Sequence, residues 1–117
     1  MGAIRSLKPD LTSSQDLTAG ALSYESSSGN RSFKVDEVIL KASVNITETV
    51  TITRTSSAGA TYDHIIAKRS MIAEQNFVFR PSGDCNFRAG DEIKVECTNA
   101  NVTGVVYITI KRTEVLP

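Results

Sequence analysis

The sequence predicts an all-β protein: an antiparallel β-sandwich or jelly-roll-like barrel of about seven to eight strands with a short N-terminal arm. Three observations predict it. The chain carries ten Val, ten Ile and twelve Thr against six Leu. β-Branched side chains are stiff at χ1 and suit a pleated surface better than a helix. Apolar and polar residues alternate with a period of two, the pattern of strands with one buried and one wet face. Clusters of Gly, Asp, Asn and Ser recur about every ten residues, as turns do between neighbouring strands. No stretch of helical period separates the alternating runs, which argues against a parallel βαβ sheet.

Taken in order, residues 1–15 are polar and aperiodic, with Pro9 and the cluster Thr12-Ser13-Ser14. They read as an arm that is disordered or orders on a neighbour, and residues 16–117 read as a single domain. A weak strand is expected over 16–25, with Leu22 and Tyr24 on one face, before the loop Ser26-Ser27-Ser28-Gly29-Asn30-Arg31. Residues 33–46 give the clearest strand: Val38, Leu40, Ala42, Val44 and Ile46 share one face, and Glu37, Lys41, Ser43 and Asn45 the other. Phe33 and Val35 have the opposite phase, so a bulge is expected near Asp36-Glu37. A turn at Thr47-Glu48 would then start a hairpin strand over 49–55, with Val50 and Ile52 inward.

Ser56-Ser57-Ala58-Gly59-Ala60 is a small-residue loop. Residues 62–71 read as another strand, with a short helical turn over 70–75 as the alternative. Residues 76–80 place Phe77 and Phe79 on one face and stop at Pro81. Turns at Ser82-Gly83-Asp84 and Ala89-Gly90-Asp91 precede a strand over 92–98, with Ile93, Val95 and Cys97 inward. After Asn99-Ala100-Asn101, a last strand over 104–112 carries Val106, Ile108 and Ile110 on the core face.

Composition narrows the function classes. The 117 residues include thirteen basic and thirteen acidic side chains, so no net charge draws the chain to nucleic acid or anionic membrane. No run approaches the roughly 20 apolar residues of a membrane helix, and the start has no apolar targeting core. Gly2 with Ser6 matches the bare myristoylation pattern, which is too short to carry an assignment. Synthesis in a cytoplasm is the expectation. Cys85 and Cys97 are too few for a disulfide scaffold; a bond between them is conceivable, and a reduced pair is the simpler reading.

Catalytic chemistry is hard to assemble from these residues. His64 is the single histidine. Its neighbour Asp63 would point to the opposite face of a strand, so the two make no triad. One His and two Cys twelve residues apart do not match zinc spacings. Asp84 and Asp91 could hold calcium with loop carbonyls, but Gly-Asp pairs are first of all turn chemistry. Glu92 and Glu96 share a wet face with Lys94 between them, a charge ladder rather than a carboxylate pair. No metal, cofactor or enzymatic activity is expected. Three Asn-X-Ser/Thr triplets start at Asn30, Asn45 and Asn101, a slight excess that means little without a secretory signal. Basic residues are scattered, and no aromatic stripe interleaves with them.

The outward face Thr49, Thr51, Thr53 and Thr55 is neither apolar core nor charged surface. Uncharged β-rich faces serve contacts between sheets, because charges at edges normally prevent such contact. These four threonines are the candidate interface; ordinary filling of an exposed strand is the alternative.

Two stretches carry a wider resemblance: Phe33-Lys-Val-Asp-Glu-Val-Ile-Leu-Lys-Ala-Ser-Val-Asn45 and Arg88-Ala-Gly-Asp-Glu-Ile-Lys-Val-Glu-Cys-Thr98. With the polar arm and the hydrophobic final strand, the chain resembles small accessory virion proteins of tailed bacteriophages. The resemblance is one of style over about three quarters of the chain. It implies a sandwich or jelly-roll subunit that forms a symmetric oligomer on a capsid, neck or tail, with itself and other virion proteins as partners. It brings no catalytic residues. The competing expectation is a carbohydrate- or ligand-binding sandwich module, for which Tyr24, Tyr62, Phe87 and Tyr107 are the available aromatics.

Overall fold

The computed structural model describes residues 4–7, 11–27, 32–83, 85–101 and 103–116. Their strands are β1 (Ile4–Leu7), β2 (Leu11–Asp16), β3 (Leu22–Ser27), β4 (Phe33–Thr55), β5 (His64–Phe79), β6 (Asn86–Phe87), β7 (Glu92–Cys97) and β8 (Val105–Leu116). The one helical piece among the described residues is a three-residue 3-10 turn, Ala60–Tyr62. Every pairing is antiparallel, and all eight strands belong to one continuous, strongly folded sheet. The predicted all-β sandwich or barrel class is the observed one.

β4 is the spine of that sheet. Along one edge it pairs with β5, from Val38 opposite Phe79 to Arg54 opposite His64, and at its start with β6. Along the other edge residues 33–42 pair with β8 and residues 50–55 pair with β7. β3 extends the sheet beyond β7, and β1 and β2 lie end to end beyond β8. The β4–β5 ribbon folds back on itself midway. Its register shifts between Lys41 and Ile46 and again before Glu48. Opposite this corner Ala73 of β5 takes φ 50, outside the range strands use. Strands that change sheets through such bends make the corners of a sandwich. Here the bend brings the far ends of the ribbon together: His64 from one end and Phe79 from the other line one depression.

The core lies between the two halves. Val38, Leu40 and Ala42 of β4 contribute from one, with Val106, Ile108 and Ile110 of β8. Val50 and Ile52 contribute from the other, with Ile93, Val95 and Cys97 of β7. Burial of such side chains is worth about 1.5–3 kcal/mol each and is the main force holding the halves together. Leu17, at the turn between β2 and β3, is fully buried and joins the same core cluster.

Several expected elements come out differently. Thr47-Glu48 is not a turn, and β4 runs unbroken for 23 residues. Neither residue has turn chemistry, and Glu48 finds partners for its carboxylate at a core-facing position, so the chain bends instead of reversing. Residues 62–71 and 76–80 are halves of one strand, β5, and the helical turn is absent from 70–75. Val44 is exposed because it falls at the corner, where the pairing of β4 with β5 lapses. The bulge expected near Asp36-Glu37 is present as the register shift between Val35 and Glu37. Of residues 1–15, expected as an arm, the described ones are strands paired along β8. The open edge of β8 supplies backbone partners that polarity and aperiodicity do not reveal. The loop residues Asn30 and Arg31 and the turn residue Asp84 lie outside the described residues.

Gly104 shows how tightly the corner is built. Its φ is +82, and an ideal Cβ there would lie 2.7 Å from Val44 Cγ2. Beside it Val105 N–H donates to Ser43 Oγ at 2.9 Å. Gly104→Ala is expected to lower stability by about 1–3 kcal/mol, from backbone strain and the clash together. Urea unfolding measures it, and a loss within error would mean that the loop yields freely.

Candidate functional site: the arginine-lined mouth

The far ends of the β4–β5 ribbon meet at one end of the sandwich, the mouth. Residues 56–63 and 85–91 frame it. The first loop is held by its own hydrogen bonds: Ser56 N–H donates to Asp63 Oδ1 at 2.8 Å, and Tyr62 N–H to Gly59 O at 3.0 Å. Asp91 is buried and joins the two loops. Its Oδ1 accepts Ser57 N–H at 2.9 Å and its Oδ2 accepts Arg88 N–H at 3.0 Å. Burial pushes the Asp91 carboxyl up, but these bonds and the nearby Arg54 guanidinium outweigh it and hold the group below its ordinary range. Gly90 has φ +88, and a Cβ there would sit 3.2 Å from Ser57 Cβ, so the close approach of the loops needs a glycine.

Between the loops lies a cavity of about 380 Å³ lined by Arg54, Ser56, Ser57, Ala58, Tyr62, Arg88 and Asp91. Arg54 continues the inward phase of Val50 and Ile52, which places a cation where β4 leaves the core. Its Nε is buried without a hydrogen-bond partner. Tyr62 is 64% exposed. On the other side of Ser56 and Ser57 lies an acidic depression of about 370 Å³ with Glu25, Asp63 and Glu92 around Lys94. A hydrogen bond shared with Glu92 raises the Glu25 carboxyl, with burial and like charge adding to the shift. Deeper at the mouth, Phe33 and Phe87 stack with ring centres 4.7 Å apart, and the Arg112 guanidinium lies 5.7 Å from the Phe33 ring centre.

The residues singled out from sequence are scattered by comparison. Thr49, Thr51, Thr53 and Thr55 are half-buried on a strand paired along both edges. Their neighbours Glu92, Lys94 and Glu96 on β7 and Lys68 on β5 bring charge beside them. β4 therefore offers no free edge at these positions. His64 is exposed at the start of β5. Lys94 and Glu96 approach to 3.8 Å, as a solvated charge ladder does. Of the four aromatics, Phe87 is buried and Tyr24 packs against the core; Tyr107 lies on β8, and Tyr62 alone lines the mouth cavity. Arg80 is tied to Glu37, whereas Arg88 reaches the cavity. Both cysteines are free thiols, and burial pushes Cys97 up to about 11.

Arg54 was missed by sequence reasoning, although a signal was available. It sits in phase with Val50 and Ile52, and a charged residue at an inward position marks either a strand end or a site.

Comparison with known proteins adds little to this picture. No protein-family model and no curated protein matches the chain. Two solved structures show a distant likeness, both of infectious bursal disease virus. The Gx strain structure is 11% identical with a TM-score of 0.30, over 99% of this chain and 41% of that one. The Gt strain structure is 13% identical with a TM-score of 0.23, over 98% of this chain and 42% of that one. The chain spans about two fifths of the length of either.

Proposed function

We propose that this chain is a structural, non-catalytic subunit of a virus particle that works by assembling with copies of itself and with other virion proteins. The observation that carries this reading is the free edge of β5. Among the described residues this 16-residue strand pairs only with β4, so its outer backbone groups have no sheet partner. It exposes Ile65 (55%), Ile72 (70%) and Val78 (43%) on either side of the charged Lys68, Arg69 and Glu74, and a long strand left unpaired along one edge is a template for pairing with another chain. The finer reading, a decoration, neck or tail accessory subunit of a tailed bacteriophage, rests on the sequence resemblance over residues 33–45 and 88–98. In this reading the docking surface is β5, and the threonine face of β4 lies beside it.

Light scattering on the wild-type chain and on the double variant Ile65→Lys, Ile72→Lys tests the reading. The expected result is a discrete closed oligomer for wild type and a folded monomer for the variant. A wild-type monomer at micromolar concentration, or an oligomer unaffected by the two lysines, would overturn assembly through β5.

A further inference from the structure

We propose that the mouth cavity binds a carboxylate, carried on a ligand of up to about the size of a single sugar ring. Arg54 is the first reason. It makes no hydrogen bond or ion pair with any described residue, and its Nε is buried. A buried guanidinium N–H without an acceptor is costly; the nearby Asp91 already gives both oxygens to backbone N–H groups, so ligand oxygens would supply what the protein does not. Arg88 is the second. Its side chain also lacks a hydrogen bond or ion pair among the described residues, and it lines the same cavity.

Charge selects the ligand. Among the described residues Asp91 is the single carboxylate of the lining, and both its oxygens already accept backbone N–H groups. Two guanidinium groups and one carboxylate give the described lining residues one net positive charge, which suits a carboxylate better than a doubly charged phosphate. Guanidinium matches a carboxylate edge to edge through two parallel hydrogen bonds. Tyr62, exposed at the rim, offers a ring face and a hydroxyl to the body of the ligand. A cavity of about 380 Å³ fits one ring or one amino-acid side chain, and its walls are set by the bonds of residues 56–63 and Asp91.

Such a carboxylate could belong to an acidic sugar or to an acidic side chain of a protein. Titration of the full chain, followed by backbone amide NMR shifts, separates the two with sodium glucuronate and an acetylated, amidated Ala-Asp-Ala peptide as probes. Glucose and inorganic phosphate are the controls. Saturable shifts confined to residues 54–63 and 85–91 with either carboxylate probe are expected, weakened at least about tenfold in Arg88→Gln and in Arg54→Gln. The tighter probe names the source. Arg88 is exposed, so its variant keeps the fold and decides the matter even if Arg54→Gln does not fold. The proposal fails if neither carboxylate shifts these residues, if glucose or phosphate binds as tightly, or if binding survives Arg88→Gln. None of these outcomes depends on whether the chain assembles through β5.

Discussion

Glu48→Ala is expected to destabilise the protein by about 2–4 kcal/mol. The Glu48 side chain is buried at the closed end of the sandwich and holds the connection from β7 to β8. Its Oε1 accepts Thr98 Oγ1–H at 2.9 Å and Ala100 N–H at 2.7 Å. Its Oε2 accepts Asn101 N–H at 2.9 Å and Asn101 Nδ2–H at 3.2 Å. Thr98 Oγ1 in turn accepts Thr49 N–H at 2.8 Å, so the latch also ties β4 to the loop. Alanine leaves Thr98 Oγ1–H, Ala100 N–H and Asn101 N–H without their acceptor.

The same latch makes stability depend on pH. Burial pushes the Glu48 carboxyl up, but the bonds from Asn101, Ala100 and Thr98 outweigh it and leave the group below its ordinary range. A depressed folded-state value contributes stability that is fully present above the unfolded value, about 4.3, and is lost as pH falls through the folded value. Asp91 is shifted in the same direction and adds to the acid limb. Glu48→Gln cannot titrate, so its deficit relative to wild type should shrink below about pH 4. Urea midpoints from pH 7 to 2.5 measure this. An equal deficit at both ends of the range would show that the latch works by shape and not by charge.

Phe87→Ala is expected to cost about 3–5 kcal/mol, in the range for deleting a buried aromatic ring. β6 is only two residues long, and its two ladder partners are Phe33 and Lys34. So short a strand is held by its side chain, and the Phe87 ring is buried and stacked on Phe33. Removing it opens a cavity against the Phe33 ring and loosens the segment that carries Arg88 and Asp91. The loss should therefore be uneven. Hydrogen exchange should speed up most at the Val35 amide, which donates to Cys85 O, and least at the Ile108 amide in the centre of β8. Uniform loss of protection would mean that β6 is part of the global core and not a separately held flap.

How far the fold could be read from the chain depended on whether a residue's burial was set locally. Ile93, Val95 and Cys97, and likewise Val106, Ile108 and Ile110, alternate cleanly and are buried as the alternation requires. The bulge at Asp36-Glu37 was legible for the same reason, because a phase change is itself a local signal. Glu48 was not legible. A charged residue after Thr47 looks like surface until residues 98–101 come round to satisfy it, fifty positions later in the chain. Leu11 and Gln15 were read as part of an arm because backbone pairing to β8 needs no side-chain pattern.

What the sequence determined by itself is the all-β class, most of the core faces and the turn at Ala89-Gly90-Asp91, since period, β-branching and turn chemistry act over a few residues. Tertiary structure alone decided that β4 and β5 bend instead of reversing. It also decided that Arg54 meets Arg88 at one mouth and that β5 is left with a bare edge. Each of these depends on which strand finally lies beside which, and backbone hydrogen bonds between distant strands carry no signature in the residues that make them.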